Sequence, residues 1–197
     1  MPNIDPGARE WELDLAGRIG KAVASRRKAL GLTAVEVADR TKELGYPITR
    51  VAVAKIENNG RAGKIDVAEI LVLAAALDLP PVLLLLPSYP DGEAELLPGR
   101  PAKDGDSLAW ITGTGTLPVR EGEESLPPNP GVDLIREAVV EWELRFRELE
   151  IASAALATEG DETLQTFREG FLERHREKIA VTARAIKAAR TRLWGKP

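Results

Sequence analysis

The chain contains no cysteine, a single histidine and few aromatic residues. Without cysteine it can form no disulfide, no thiolate metal site and no cysteine nucleophile, which fits a reducing cytoplasm. His175 has neither a second histidine nor a cysteine to complete a set of metal ligands, so we expect it to have a packing or surface role. The sequence therefore predicts no metal site.

Long apolar runs are also missing. The longest, residues 79–87, is interrupted by Pro80 and Pro81, and it is far shorter than the roughly 20 residues that a membrane span needs. Asp5 and Glu10 precede any apolar run, so no signal peptide is expected. We therefore expect a cytoplasmic protein with no membrane partner.

Catalytic and nucleotide-binding patterns are absent from the sequence as well. The "GTGT" at residues 113–116 lacks the Lys-Ser/Thr of a phosphate loop and the strand-before-helix context of a dinucleotide site. Acid pairs such as Glu123 and Glu124 have no accompanying nucleophile, glycine-rich cradle or histidine. We expect neither an enzyme nor a bound cofactor.

The composition that is present, 44% apolar residues and a formal net charge of -4, is that of an ordinary globular protein. Any affinity for nucleic acid must come from local charge and not from a basic balance overall. Composition divides the chain into helical patterns over 1–87, an acidic region rich in proline and glycine over 88–131, and long helical patterns over 132–197. In the middle region we expect a linker with a short docked segment, because it carries Leu96, Leu97, Leu108, Trp110 and Ile111.

Five short helices are predicted in residues 1–87. The first ends at Gly31, and the second opens at Thr33, where Glu36 can complete a capping box. The third begins at Thr49, the fourth at Asp66 with Glu69 as its partner, and the fifth after the two prolines. In the third helix Val53 and Ile56 share one face, whereas Arg50, Val51 and Lys55 project from the other at about 100° per residue.

Residues 132–197 predict two long helices that fold back on each other antiparallel as a hairpin. In the first, apolar residues recur at spacings of four and three, the seam of a coiled coil or helical hairpin. Residues 132–163 carry three cations and nine acids, and residues 172–197 carry eight cations and two acids, so the arms attract each other. The seam comprises Ile135, Val139, Trp142, Phe146, Leu149, Ser153 and Leu156.

A helix, a turn and a second helix with a polar outer face make up the helix-turn-helix arrangement, whose second helix enters the major groove of DNA. The succession "SRRKALGLTAVEVADRT", "ITRVAVAKIENNGR" and "IDVAEILVLAAALDLPPVLLLLP" resembles the Xre/Cro-like family of regulators, related to the phage lambda repressor and common in actinobacteria. The resemblance covers about residues 13–87. It implies an all-α fold, with a lambda-repressor-like five-helix domain, and a transcriptional regulator of the repressor type that binds double-stranded DNA.

Carried over to this chain, the resemblance puts Thr49 at the cap of the recognition helix and base-facing residues directly after it. Glu57 is expected to pair inward with Arg27 as a structural ion pair. Thr33 is expected to offer its amide and hydroxyl to a phosphate. The expected DNA contacts are Arg50, Val51, Ala52 and Lys55 at bases, and Asn58, Asn59, Arg61 and Lys64 at phosphates after the helix.

The chain departs from the family pattern in two places. Ala34 stands where family members usually carry glutamine, which implies one phosphate or base contact fewer. The segment "TKELGYPI" is about three residues longer than the turn of the phage proteins, so we expect the second helix to run further.

Other interpretations of the same residues stay open. Arg50 and Lys55 taken alone could form a solvated helix face, and Trp110 could border a small effector pocket. The alternative to a DNA-binding homodimer, paired through 132–197, is a protein-interaction module that uses the carboxy-terminal hairpin to dock a protein partner.

Overall fold

The computed structural model describes residues 5–120, 122–124, 130–156 and 162–194. The chain divides into two compact units: Met1–Leu108 with Pro118–Glu124, and Ala109–Leu117 with Ser125–Pro197. Within the described residues it is mostly helical. The first unit contains α1 (Pro6–Ala29), α2 (Ala34–Glu43), α3 (Arg50–Glu57), α4 (Val67–Ala76), α5 (Val82–Leu85), β1 (Glu93–Leu97) and β2 (Arg100–Lys103). The division falls within α6 (Asp104–Ile111), and the second unit contains α7 (Pro130–Leu156) and α8 (Glu162–Trp194).

Local sequence signals set the helix ends of the first unit. Gly31, at φ +67°, follows the C-cap of α1, and the Leu32 amide donates back to the Arg27 carbonyl at 3.0 Å. Thr33 and Asp66 form capping boxes at the starts of α2 and α4. Thr49 Oγ1 accepts from the Ala52 amide at 3.2 Å and caps α3. The five helices predicted in this region are present.

The core of the first unit lies between α1 and α3, and α2, α4 and α5 contribute to it. Val23, Val37, Val53 and Leu73 are fully buried within it. α2 continues through Thr41, Lys42 and Glu43, so the first part of the longer lead-in is helical as expected. Leu44 and Gly45, at φ +86°, follow its last turn. The core includes Ile19, Val23, Val37, Ile48, Val53, Ile56, Leu73, Leu77 and Leu84.

The middle region, where a linker with a short docked segment was predicted, contains a small two-stranded sheet in an otherwise helical chain. β1 and β2 form an antiparallel hairpin whose turn contains Gly99 at φ +68°, and α6 follows directly. Arg18 on α1 donates to the Glu95 carbonyl at 3.0 Å, which fixes the hairpin to the helical core of the same unit. The contact of Arg18 with Glu95 thus places β1, part of the predicted middle region, in the first unit. "LLPGRPA" contained the turn signal, but its strands are too short to show an alternating pattern.

α7 and α8 of the second unit pack along each other as a hairpin. The two helices are antiparallel, because the ion pairs that join them, Arg176–Glu148 and Arg192–Asp133, each at 3.5 Å, follow opposite orders along α7 and α8. The attraction between an acidic and a basic arm is thus present as predicted. His175 is buried and stacks on Phe171 with ring centroids 4.0 Å apart, a packing role.

The predicted apolar seam of α7 does not form the contact between the two helices. Its described members, Ile135, Val139, Trp142, Phe146 and Leu149, are all exposed by more than a third of their surface. Residues on a neighbouring face, among them Leu134, Leu144 and Glu148, are half-buried instead. Ser153 and Leu156 lie outside the residues whose side chains are described. No helix in the described part of the chain combines the length and hydropathy needed to cross a bilayer.

Candidate nucleic-acid interface

The inner face of α3 anchors the helix in the first unit. Val53 and Ile56 are buried there. Gly20 of α1 lies so close to α3 that a Cβ on it would stand 2.2 Å from the Ile56 carbonyl oxygen. Thr41 Oγ1 accepts from the Ile48 amide at 2.9 Å, which ties the residues before α3 to α2. α3 is therefore held from its N-terminal lead-in and along its inner face.

The outer face of α3 carries Arg50, Val51 and Lys55 into solvent. Val51 is 58% exposed, a large fraction for a valine. Among the described residues, no hydrogen-bond or ion-pair partner meets the side chain of Arg50 or Lys55. Two cations and an apolar side chain on one exposed helix face can meet guanine edges, phosphates and thymine methyl groups.

An open depression lies beside this face, between α3 and the segment that leads to α4. We call it the α3 depression. Ala52 is half-buried in its wall and Lys64 is exposed at its border. Its lining brings together the predicted residues Thr49, Val51, Ala52, Lys55, Arg61 and Lys64, with Glu12, Tyr46, Asp66 and Glu69.

The acids of the α3 depression are engaged within the protein. Glu12 pairs with Arg9 on α1. Glu69 pairs with an arginine on the preceding segment, and its Oε2 also accepts from the Asp66 amide at 3.2 Å. Asp66 Oδ1 caps α4 by accepting from the Ala68 amide at 2.7 Å. Lys55 and Lys64 have no such partner among the described residues, so an anionic ligand would meet two free ammonium groups there.

Arg61, which was expected at a phosphate after α3, is paired within the protein. Its Nη1 lies 2.6 Å from both Glu69 carboxylate oxygens, and the Glu69 side chain is only 10% exposed. Taking the arginine away would leave a buried carboxylate without its cation. Arg61 therefore braces the segment between α3 and α4 and is not a free phosphate contact.

Asn59 is also used within the protein. It adopts a left-handed conformation at φ +52°, and its Nδ2 donates to the Leu13 carbonyl at 2.9 Å. Its Oδ1 accepts from the Gly63 amide at 3.2 Å. The side chain thus joins the α3 exit to α1, which differs from the expected phosphate contact. Asn58 is exposed, and its Nδ2 donates to the Ala54 carbonyl at 3.0 Å.

Thr33 is engaged by its own capping box. Both its amide and its hydroxyl donate to Glu36 Oε2, at 2.7 and 2.8 Å. These bonds hold the pKa of Glu36 below its usual value, with the backbone bond as the main cause. A carboxylate therefore occupies the amide and hydroxyl that were expected to receive a phosphate.

The expected ion pair between Arg27 and Glu57 is present. Arg27 Nε donates to Glu57 Oε1 at 2.6 Å and Nη2 donates to Oε2 at 2.8 Å, a bidentate geometry. Both side chains are mostly buried, and the hydrogen bond with Glu57 raises the pKa of Arg27 above its usual value. Arg27 also donates to the Leu32 carbonyl, so one guanidinium joins α1, α3 and the start of α2.

Tyr46 is a residue of the α3 depression that the sequence argument did not select. It is partly exposed and lies in the lead-in to α3. An aromatic hydroxyl at this position can donate to a phosphate, and the ring can pack on a sugar. The sequence signal for this residue was an aromatic side chain in "LGYPIT", directly before α3.

A second polar cluster lies elsewhere in the first unit. Asp104, 1% exposed, faces Arg18, and burial raises the pKa of this carboxyl above its usual value while Arg18 opposes that rise. Neither Asp104 oxygen has a hydrogen-bond partner among the described residues, nor has the Ser107 hydroxyl. Three or more acids or histidines that could hold a metal ion do not converge within the described parts of the chain.

No protein-family model matches the chain, and no match is found among curated proteins or solved structures.

Proposed function

We propose that the protein is a sequence-specific DNA-binding transcriptional regulator of the repressor type, with α3 as its recognition helix. In this proposal α3 lies in the major groove and α2 crosses the backbone beside it. Two copies, paired through the second unit, would occupy a two-fold symmetric site. The resemblance to Xre/Cro-like regulators motivates this assignment of roles.

One observation carries the proposal. Arg50, Val51 and Lys55 point outward from a helix that is rigidly held on its inner face, and both cations lack partners among the described residues. Here a free lysine on the next segment, Lys64, and an exposed aromatic, Tyr46, border the same depression.

The chemistry of the outer face assigns a role to each side chain. Arg50 is suited to a bidentate contact with guanine O6 and N7, a discrimination of about 1–3 kcal/mol. Val51 and Ala52 present methyl groups to thymine. Lys55 faces the bases from the same side of α3, and Lys64 acts as a point charge toward a phosphate. With so few free cations on this face, the affinity of one copy for DNA is modest.

Selection of bound fragments from genomic DNA, followed by footprinting, tests the proposal. We expect one enriched sequence with two-fold symmetry, and an affinity for it that falls steeply with salt because cations displace counterions from phosphates. Recovery of fragments with no shared sequence would contradict it.

A protein-interaction module is the second function, and the exposed apolar residues of α7 favour it. Trp142 and Leu149 are each about two-thirds exposed, and large exposed apolar patches are typical of protein contact sites. In that case the second unit would bind a different protein, and substitution of Arg50 or Lys55 would leave the activity of the protein unchanged.

A further inference from the structure

The outer face of α7 carries five large apolar side chains in an unbroken heptad pattern. We call Ile135, Val139, Trp142, Phe146 and Leu149 the α7 outer stripe. All five are exposed, and the rings of Trp142 and Phe146 stack with centroids 5.6 Å apart. Such a continuous row of exposed apolar groups on one helix is unfavourable in water unless another surface covers it.

α8 of the same chain does not cover the stripe. It packs on a neighbouring face of α7, where the acids Asp133 and Glu148 meet Arg192 and Arg176. At the amino end, Gly113 lies against Ile135, because a Cβ on this glycine would stand 2.3 Å from Ile135 Cδ1. The four remaining residues of the stripe stay open to solvent.

The residue types at two of the five heptad positions favour a two-stranded partner. Val139 and Phe146 occupy a positions, and Ile135, Trp142 and Leu149 occupy d positions. A β-branched residue at a with leucine at d favours a dimer of parallel helices. Val139 and Leu149 follow this rule, and Ile135, Trp142 and Phe146 fall outside it.

Charges beside the stripe distinguish a parallel from an antiparallel second copy. Arg145, which also pairs with Glu141 one turn earlier on its own helix, occupies a g position. Arg136, Glu143 and Glu150 occupy e positions. In a parallel pair each Arg145 faces Glu150 of the other copy, and no like charges meet. A fully overlapped antiparallel pair brings Arg145 against Arg145 and Glu143 against Glu143, two repulsive contacts that offset its attractive ones.

We propose that the α7 outer stripe is the homodimer interface, and that two copies of α7 pair there as a parallel, in-register coiled coil with each α8 on the outside. The pairing brings the amino ends of both α7 helices to the same end of the coiled coil. The inference specifies the self-association assumed in the proposed function, and it does not depend on which DNA sequence the protein binds.

Cysteine cross-linking of the full chain tests the geometry, since the protein has no cysteine of its own. In a parallel pair an a position faces the same a position, so Val139→Cys should oxidise to a disulfide-linked dimer. In the antiparallel pair residue 139 faces residue 149, and only a mixture of Val139→Cys with Leu149→Cys would cross-link. Val181→Cys, exposed on α8, is the control and should stay monomeric in denaturing gels. Equal cross-linking at 139 and 181 would overturn the proposal.

Sedimentation of the full chain without DNA tests the surface. Trp142→Glu should lower the mass about twofold and leave the helix content by circular dichroism unchanged, because the side chain is exposed. Val181→Glu, which places the same charge on exposed α8, should leave the dimer intact. A wild-type monomer at micromolar concentration, or a Trp142→Glu dimer, would contradict the interface.

A charge exchange adds a second readout. Arg145→Glu should weaken the dimer, and adding Glu150→Arg should restore it in the parallel arrangement alone. Failure of this restoration would contradict the parallel register.

Selection of bound DNA is independent of these measurements. A protein that dimerises through another surface and still enriches one DNA sequence refutes the interface at the α7 outer stripe and leaves the proposed function standing. A dimer that depends on the stripe but enriches no DNA sequence supports the interface and refutes the proposed function.

Discussion

At the scale of single residues, the first unit separates side chains that hold the fold from side chains that stay free. Arg27 and Arg61 each neutralise a mostly buried glutamate, whereas Arg50 and Lys55 have no partner in the described residues. Arg50, at the start of α3, and Arg61, shortly after the end of the same short helix, therefore have opposite roles. Whether a cation is paired or free depends on whether it meets a buried carboxylate, and not on its spacing in the sequence.

The free cations of α3 predict an effect on specificity. Arg50→Ala should lower the discrimination against substituted base pairs by about 1–3 kcal/mol, because a bidentate guanine contact is lost. Lys64→Ala should lower the affinity for all sequences together and reduce the salt dependence, because it removes a phosphate contact. Competition binding with single-base variants of the selected site measures both effects. The matched control is Lys103→Ala, an exposed lysine on β2, and an equal loss there would contradict the assignment.

Asp104 predicts a pH dependence of stability. Its pKa is raised in the folded protein because burial disfavours the charged form. The folded state therefore holds the proton more tightly than the unfolded state, so the contribution of Asp104 to stability falls as the pH rises from the ordinary aspartate range through the raised pKa. Asp104→Asn should remove this fall and raise the free energy of unfolding near neutral pH relative to the wild type.

Urea unfolding at a series of pH values checks this prediction. Asp106→Asn, at an exposed position on the same helix, is the matched control and should leave the pH profile unchanged. A profile that Asp104→Asn does not flatten would show that another group dominates in this range.

At the scale of elements, the position of α3 depends on its close approach to α1. Gly20 permits that approach because a side chain would meet the Ile56 carbonyl. Gly17, one turn earlier, has room: its Cβ would lie 3.5 Å from Asn59 Nδ2, an ordinary contact. The two glycines therefore look alike in sequence and differ in what they allow.

Substitution of each glycine by alanine tests whether only Gly20 is required for the close approach of α1 and α3. Gly17→Ala should stabilise the protein by up to about 1 kcal/mol, since alanine is the better helix former. Gly20→Ala should destabilise it by about 1–3 kcal/mol through overpacking and should also weaken DNA binding by shifting α3. Denaturant unfolding and DNA titration of both variants provide the measurement, and equal stabilities would contradict the close crossing.

Element boundaries in the first region were predictable because capping chemistry is local. Thr33, Thr49 and Asp66 each begin a helix, as the sequence indicated. The hairpin of β1 and β2 was not predicted, because a strand of four or five residues has no periodicity to detect. Arg18 and the hairpin meet across 77 residues of sequence, and such pairing leaves no local signal.

At the scale of the whole molecule, the proposed function requires two copies on one DNA site. A chain of net charge -4 has no general attraction for a polyanion. Each α3 outer face has few free cations, so two copies would be needed for tight binding. Each copy would bind one of two half-sites about one helical turn apart.

This requirement predicts the behaviour of half-sites. The wild type should bind a two-fold site far more tightly than a single half-site, because the second copy binds as part of the same complex. Trp142→Glu should reduce binding to the level of the half-site and leave the preferred sequence unchanged. Titration of both DNA fragments measures the difference, and a monomer that binds both equally well would refute the model.

The sequence alone determined the five helices of the first region, the face of α3 that holds Val53 and Ile56, and the opposite charges of α7 and α8. The helices and their faces follow from caps and periodicity, which act over a few residues. The charges of the two arms follow from composition, which is a sum over many residues. Only the tertiary structure decided that Arg61, Asn59 and Thr33 are bound within the protein and that the α7 outer stripe faces solvent. Those outcomes depend on which groups meet across long stretches of chain, and burial then determines which charges must be paired and which remain free for a partner.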